Sequence, residues 1–195
     1  MVSTADDELM TGVRNGNVRL LGALFERHQA PLYHFFLRQG TGPQLSEDLV
    51  QEVFFRILRF RETFREGSSF TTWMYRIARN ARVDALRKRK PEEAIDEGPG
   101  SPVDPRRTPV ESLESAQQEQ LLRRALASLP EDRREVLILS RYQNLKYDQI
   151  ADLLECDTGA VKVRVHRAIR ELRDIYASLS QPSGRLRPGR LGAVG

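Results

Sequence analysis

The segment 147–176, which reads YDQIADLLECDTGAVKVRVHRAIRELRDIY, constrains the fold of this chain most. Apolar residues recur at helical spacing on both sides of a short polar break, so the sequence predicts two helices joined by a tight turn. Five Lys or Arg residues and only two acids lie within 157–173. A helix pair with a cationic second helix is typical of a helix-turn-helix, which lays that second helix in the DNA major groove.

The second helix of this pair, whose first turn Asp157 can cap, divides into two faces at about 100° per residue. Its apolar face, which we expect to pack on the first helix, carries Val161, Val165, Ala168, Ile169 and Leu172. The other face and its flanks hold the candidate DNA-contacting residues Thr158, Lys162, Val163, Arg164, His166, Arg167 and Arg170. Cations suit phosphates and guanine edges, and outward-pointing Val163 suits a thymine methyl group. The alternative is a solvated basic face on an ordinary core helix, but the tight turn and the preceding helix favour DNA.

A second basic helix is predicted far upstream, over residues 70–90, where seven Lys or Arg residues accompany one acid. One stripe is apolar and predicted to be buried: Phe70, Met74, Ile77, Ala78 and Ala81. The candidate nucleic-acid residues are Trp73, Arg76, Arg79, Asn80, Val83, Arg87 and Lys88. Cations, an amide and an aromatic ring suit a strand whose bases are partly unstacked. Two plainer interpretations stay open, namely Trp73 as a core anchor and the arginines as solubilising charges.

A third predicted helix begins with Ser46 as its N-cap and runs to about Phe60. Its inward positions are expected to be Leu49, Val50, Val53, Ile57 and Phe60. Its outward positions are expected to be Asp48, Gln51, Glu52, Phe55 and Arg59. An exposed Phe among charged residues suggests a protein-binding surface with one apolar anchor. The alternative is that Phe55 packs under a neighbouring helix.

The whole chain is predicted to be all-α, because helical spacing is common and strand signals are scarce. Other helices are expected at about 6–14, at 17–39 with a break or bend at Pro31, and from a capping box at Ser128 and Glu131. Residues 91–110 are rich in Pro, Gly and acids and are expected to be a flexible linker. The predicted organisation is therefore a helical domain over 1–90, the linker, a helix-turn-helix domain over 111–177 and a loose basic tail over 178–195.

Several classes of function are excluded by what the sequence lacks. Cys156 is the only cysteine, so no internal disulfide or thiolate metal cluster can form. No carboxylate cluster, metal-ligand spacing or glycine-rich phosphate loop is present, so we expect no cofactor, no metal and no enzymatic activity. The N-terminus does not have a signal-peptide pattern and no apolar run could span a bilayer, which favours a soluble, cytoplasmic protein.

Three segments, in this order, resemble bacterial sigma factors of the sigma-70 family, in the extracytoplasmic function (ECF) group. They are DLVQEVFFRILRFR (48–61), FTTWMYRIARNARVDALRKRK (70–90) and the helix-turn-helix. The resemblance implies a factor that binds core RNA polymerase and directs initiation at particular promoters. It also implies an anti-sigma partner and an acidic linker that lies in the RNA exit path of the polymerase. The alternative is a helix-turn-helix regulator that is not a polymerase subunit.

The resemblance also assigns roles to particular residues. The helix at 46–60 would bind the polymerase through Asp48, Gln51, Glu52, Phe55, Arg56 and Arg59. The basic helix at 70–90 would read and melt the minus-ten element, and the second helix of the pair would read the minus-thirty-five element. The loop before the basic helix would hold a flipped-out base with Phe64, Arg65, Glu66, Gly67, Ser68 and Ser69. Two departures from the family pattern lie at the helix-turn-helix, where Lys146 replaces a Ser or Thr cap and Glu155 replaces a Gly in the turn.

Overall fold

The computed structural model describes residues 4–88 and 109–180, and the regular structure within them is helical. The helices are α1 (Thr4–Arg14), α2 (Leu21–Arg38), α3 (Pro43–Arg59), α4 (Phe70–Lys88), α5 (Pro109–Ala127), α6 (Glu131–Arg141), α7 (Tyr147–Leu154) and α8 (Thr158–Ser180). Short 3-10 turns at Val18–Leu20 and Arg61–Thr63 join the N-terminal helices. The all-α prediction is confirmed. Most of the expected linker and tail lies outside the described residues, although α5 already begins at Pro109 and α8 continues to Ser180.

The N-terminal helices, α1 to α4, form a bundle around an aromatic core. Phe35 lies edge-on to Tyr75 with ring centroids 5.1 Å apart, and Phe25 lies edge-on to Phe54 at 4.9 Å. Such pairs contribute roughly 0.5–1.5 kcal/mol beyond the area that they bury. The core therefore ties α4, which carries the basic face, to α2 and α3 through large side chains.

Helix α2 continues through Pro31, so the expected break does not occur. Proline removes one backbone hydrogen bond and costs about 3 kcal/mol in a helix interior. Leu32, Phe35 and Phe36, which follow it, are fully buried. Burial of three such side chains contributes roughly 1.5–3 kcal/mol each, which outweighs the cost of the proline.

The start of α3 differs from the prediction. The helix begins at Pro43 with Gly42 as its N-cap, because proline is favoured in the first turn, where its missing N–H would have no helical partner. Ser46 is fully buried inside the helix, and its hydroxyl donates to the Gly42 carbonyl at 2.9 Å instead of capping. Phe60 is also not inward, because the helix ends at Arg59 and the Phe60 side chain is 43% exposed.

The predicted capping box at Ser128 and Glu131 is wrong. The N-cap of α6 is Pro130, and Glu131 is the first residue of the helix. The Ser128 hydroxyl donates to the carbonyl of Arg124 at 2.9 Å, so it closes the end of α5 instead. The Glu131 carboxylate is then free to contact another part of the chain.

The C-terminal helices, α5 to α8, bury Leu126, Leu129, Leu137 and Ala168 among themselves. A larger apolar cluster is continuous from the N-terminal helices into α6, α7 and α8. At this contact the Tyr75 hydroxyl, which is 2% exposed, donates to the Gln143 side chain, and burial raises the pKa of Tyr75. The Arg38 guanidinium lies over the Tyr142 ring, 4.2 Å from its centre. The two helical groups therefore pack on one another, whereas the sequence predicts two separate lobes.

Candidate nucleic-acid interface

The turn between α7 and α8 forms despite the two unusual residues. Glu155 adopts the left-handed conformation, with φ 53° and ψ 47°, and so occupies the position where glycine is usual. A non-glycine residue there costs roughly 1 kcal/mol. At the other end of α7, the Lys146 backbone N–H donates to the Gln149 side-chain oxygen at 2.9 Å. Gln149 therefore accepts the N–H of the N-cap residue, and the Asp148 carboxylate accepts the Gln149 N–H at 2.9 Å, which a Ser or Thr cap would otherwise accept.

Helix α8 is capped as the sequence predicts. The Ala160 backbone N–H donates to the Asp157 carboxylate at 2.8 Å. A Cβ atom on Gly159 would lie only 2.9 Å from the same carboxylate oxygen, so glycine makes room for the cap. The cap fixes where α8 begins and hence which side chains its outer face presents.

The outer face of α8 is exposed along its length, whereas Val161, Val165 and Ala168 are buried. The exposed side chains include every predicted contact residue: Thr158, Lys162, Val163, Arg164, His166, Arg167 and Arg170. Val163 is 48% exposed although it is apolar. Among the described residues, Lys162, Arg167 and Arg170 have no acidic partner. This face is therefore a cationic stripe that the described part of the chain does not neutralise.

The predicted face of α4 is divided between solvent and the C-terminal helices. Asn80, Val83, Arg87 and Lys88 are exposed. Arg76 is exposed too, but its guanidinium donates to the Asp152 carbonyl at 2.9 Å. Arg79 is half-buried and forms an ion pair with Glu135 at 2.7 Å. All of these residues lie on α4, but the C-terminal helices already bind two of them, Arg76 and Arg79.

Arg82, also on α4, has a structural role that the sequence pattern did not predict. It is 8% exposed, donates to the Gln39 carbonyl at 3.1 Å and pairs with Glu131 at 2.5 Å. The sequence does contain a signal for this role, because Arg82 follows Ala81 of the buried stripe directly and lies three residues after Arg79. A cation beside a buried stripe predicts a paired, structural arginine.

The loop before α4 borders a cavity of about 730 Å³. The lining residues are Thr63, Arg65, Gly67, Ser68, Ser69, Thr72, Trp73 and Arg76 from the N-terminal helices, and Gln149 and Asp152 from α7. Of the six predicted loop residues, Glu66 points to solvent and does not line the cavity, and Phe64 is 1% exposed. The Phe64 ring lies edge-on to Trp73 at 5.4 Å, so it supports the cavity wall from behind. The Thr72 hydroxyl is buried and has no hydrogen-bond partner among the described residues.

The outer face of α3 combines an apolar anchor with charges. Phe55 is 60% exposed, so it does not pack under a neighbouring helix, and Asp48, Gln51 and Arg59 are exposed around it. Arg56 is different, because it pairs with Glu52 at 2.6 Å and with Asp84 of α4 at 2.9 Å. Burial works against its charge, but these hydrogen bonds raise the pKa of Arg56.

The described residues contain neither a cluster of metal-ligating side chains nor a helix that could cross a lipid bilayer. A helix-turn-helix whose second helix carries cations with no acidic partner among the described residues, packed on a second helical group with its own basic helix, is typical of a DNA-binding protein.

Comparison with known families specifies this class further. The family model for sigma-70 region 2 matches residues 24–92, and the model for sigma-70 region 4 matches residues 119–172. The sigma factor CarQ of Myxococcus xanthus is 30% identical over 87% of this chain and 97% of its own length. The ECF sigma-E factor of Escherichia coli K12 is 31% identical over 84% of this chain and 90% of its own length. The chain belongs to the sigma-70 family of RNA polymerase sigma factors, in the ECF group.

Solved structures agree with this fold. CnrH, solved in complex with the cytosolic domain of CnrY, superposes with a TM-score of 0.67 at 24% identity, over 89% of this chain and 98% of CnrH. The sigma factor RpoE of Bartonella quintana gives 0.65 at 22% identity, over 82% of this chain and 98% of RpoE.

Membership of the family decides between the two functions that the sequence left open. The protein is a sigma factor that binds core RNA polymerase and directs promoter-specific initiation of transcription. It is an initiation factor and not an enzyme. The alternative of a helix-turn-helix regulator outside the polymerase is rejected.

Proposed function

We propose that the sigma-factor activity of this chain is divided between two domains, 1–90 and 111–177, with residues 91–110 as the connecting linker. The C-terminal domain reads the minus-thirty-five element through the exposed face of α8. The observation that carries this assignment is the unneutralised cationic stripe of Lys162, Arg167 and Arg170 beside the exposed Val163. Cations that lack an acidic partner among residues 4–88 and 109–180 are suited to phosphates and guanine edges.

The N-terminal domain reads and melts the minus-ten element with α4. Exposed Arg76, Asn80, Arg87 and Lys88 supply donors to the strand, and half-buried Trp73 offers an aromatic ring for a base to stack on. The 730 Å³ cavity beside it holds one flipped-out base, with Arg65, Ser68 and Ser69 as donors. Extrusion of a base costs a few kcal/mol of unstacking, which these contacts must offset.

The outer face of α3 is the contact with core polymerase. Phe55 is the apolar anchor, and Asp48, Gln51 and Arg59 form the polar rim around it. Energetically dominant interface residues are typically aromatic side chains or arginines surrounded by such a rim. Arg56 and Glu52 contribute indirectly, because their ion pair holds α3 against Asp84 of α4.

The protein acts in the cytoplasm, where its polymerase and its promoters are, and an anti-sigma factor holds it inactive. The RpoE structure from Bartonella quintana contains the anti-sigma factor NepR, which supports a partner of this kind.

Run-off transcription tests the division of labour. Core polymerase is mixed with the purified chain and with templates mapped by sequencing transcript start sites after overproduction. We expect initiation only when both proteins are present, and loss of initiation when either the minus-ten or the minus-thirty-five element is scrambled. DNA binding by the chain without any initiation would contradict the proposal.

A further inference from the structure

Helix α1 packs at both ends of the loop that borders the proposed base cavity. It contacts the 3-10 turn Arg61–Thr63, which precedes the loop, and the first residue of α4, which follows it. Met10 and Val13, on the inner face of α1, are fully buried, so the helix is held against the N-terminal bundle. The position of the loop between these two contacts therefore depends on α1.

The N-terminus of α4 is capped from two sides. The Ser69 hydroxyl accepts the Thr72 backbone N–H at 3.3 Å, which is the cap that the loop itself supplies. The Phe70 backbone N–H donates to the Asp7 carboxylate at 2.7 Å, across 63 positions of sequence. A carboxylate at this end of a helix also interacts favourably with the helix dipole. Asp7 thus supplies a second cap from a distant part of the chain.

The neighbouring residue Asp6 holds α1 in place. It is 7% exposed, and its carboxylate lies 2.8 Å from His28 Nε2 and accepts a hydrogen bond from Arg27 at 2.6 Å, both on α2. The His28 ring in turn lies edge-on to the Phe70 ring, with centroids 5.3 Å apart. Two successive acids of α1 therefore join α2 to the first residue of α4.

Phe70 lies directly behind the residues that line the cavity. Ser69 precedes it, Thr72 and Trp73 follow it, and all three line the cavity. The Trp73 backbone N–H donates to the Ser69 carbonyl at 3.1 Å, and the Phe70 and Trp73 rings pack with centroids 6.4 Å apart. A displacement of Phe70 would therefore move the Ser69 hydroxyl and the Trp73 ring together.

We propose that Asp7 is a positioning residue for the base cavity: by accepting the Phe70 N–H, it fixes the loop 64–69 and the Trp73 ring in the arrangement that receives a flipped-out base. This inference rests on the proposed function of the cavity. Asp7 does not line the cavity, so it acts through Phe70 and Ser69 and not by contact with DNA. A site ordered in advance binds more tightly, because less conformational entropy is lost on binding.

The test compares Asp7→Ala with Glu8→Ala. Both remove one carboxylate from α1, but Glu8 is exposed to solvent. Asp7→Asn is the conservative variant, since it retains an oxygen that can accept the Phe70 N–H, and asparagine caps helices about as well as aspartate.

Each protein is assembled with core polymerase, and the holoenzyme is titrated with a single-stranded oligonucleotide that carries the minus-ten element of a mapped promoter. The oligonucleotide is then made abasic at each position in turn, which removes one base and keeps the backbone. We expect one abasic position to weaken binding of the unsubstituted holoenzyme most. This abasic penalty measures how well the cavity holds the base.

In Asp7→Ala the abasic penalty should be about fivefold smaller, as expected if loss of the cap leaves the cavity correctly arranged in roughly one molecule in five. Affinity for the abasic oligonucleotide should stay the same, because Asn80 and Arg87 of α4 are unchanged. Glu8→Ala should match the unsubstituted chain, and Asp7→Asn should recover most of the penalty. Amide hydrogen exchange over 64–72 should be faster in Asp7→Ala than in Glu8→Ala.

Two results would overturn the role of Asp7. An unchanged abasic penalty in Asp7→Ala would mean that the loop keeps its arrangement without the carboxylate. Equal losses of affinity for the intact and the abasic oligonucleotides would mean that Asp7 supports the fold and not the cavity. A different result, in which no abasic position weakens binding of the unsubstituted holoenzyme, would contradict the base cavity of the proposed function, and the role of Asp7 falls with it.

Discussion

At the scale of single residues, side chains with similar spacing have different surroundings in this protein. Phe54 and Phe55 are neighbours on α3, yet Phe54 is 6% exposed and Phe55 is 60% exposed. Arg56 and Arg59 also share a helix, but Arg56 is committed to an ion-pair network while Arg59 is exposed. Residue type alone therefore does not identify the functional residues of α3. Exposed Phe55 and Arg59 are available to a partner, whereas Phe54 and Arg56 support the fold.

Substitution of the two phenylalanines should separate binding from folding. Phe55→Ala should weaken binding to core polymerase by about 2 kcal/mol, as for other interface anchors, with an unchanged melting temperature. Phe54→Ala should destabilise the fold by about 3–5 kcal/mol because it removes a buried ring. Competition binding to polymerase and thermal unfolding followed by circular dichroism measure the two effects. A collapsed helical signal for Phe55→Ala would make it a core residue.

Replacement of Arg167 tests base reading by α8. Arg167→Ala should weaken binding to the preferred minus-thirty-five sequence by roughly 1–3 kcal/mol if the side chain contacts a base. The control is Arg141→Ala, an exposed arginine at the end of α6 that removes the same charge. Fluorescence anisotropy with matched and scrambled duplexes measures the difference. An equal loss on every duplex would mean that Arg167 contacts only phosphate.

At the scale of elements, the helix-turn-helix keeps its geometry by local means. Asp157 caps α8, Gly159 leaves room for that cap, and the Gln149 side chain accepts the Lys146 N–H at the start of α7. The cost of left-handed Glu155 is small compared with the burial of Ile150 and Leu153 beneath it. Tertiary packing therefore imposes a turn that the local sequence does not favour.

The turn offers a stabilising substitution. Glu155→Gly should raise the free energy of unfolding by about 1 kcal/mol, because glycine adopts positive φ without steric strain. Asn144→Gly is the control, since Asn144 also has φ 53° but asparagine tolerates this region better. Urea denaturation monitored by circular dichroism compares the two. A gain for Asn144→Gly as large as that for Glu155→Gly would contradict this account.

At the scale of the whole molecule, ion pairs join the N-terminal and C-terminal helices at α4 and α6. The hydrogen bond from Arg82 holds the pKa of Glu131 below its ordinary value of 4.5. A carboxyl group with a lowered pKa in the folded state stabilises that state fully above its ordinary pKa. The stabilisation is lost as the pH falls through the lowered value.

Acidification should therefore loosen the contact between the two groups of helices. Between neutral pH and the ordinary carboxyl range, energy transfer between one dye on native Cys156 and a second on a Gly22→Cys variant should stay constant. Below that range it should fall, and Glu131→Gln should have reduced transfer already at neutral pH and a weaker pH response. Identical acid responses of the two proteins would show that Glu131 does not hold the contact.

Local sequence patterns predict the fold class of this protein and the faces of its main helices. The all-α class, the buried stripes of α4 and α8, the Asp157 cap and the exposed face of α8 all follow from helical periodicity and side-chain chemistry, which act over a few residues. The family resemblance rests on the same local patterns. The errors at Ser46 and at Ser128 are also local, because several signals compete there and packing selects one.

The way in which the two groups of helices meet depends on long-range packing. The pairings of Arg79 with Glu135 and of Arg82 with Glu131 join residues that are 56 and 49 positions apart. No periodicity in the sequence encodes such a pairing, because it depends on the relative placement of α4 and α6. That placement is set by the apolar cluster the two groups of helices share, and it determines which cations of α4 remain free for DNA.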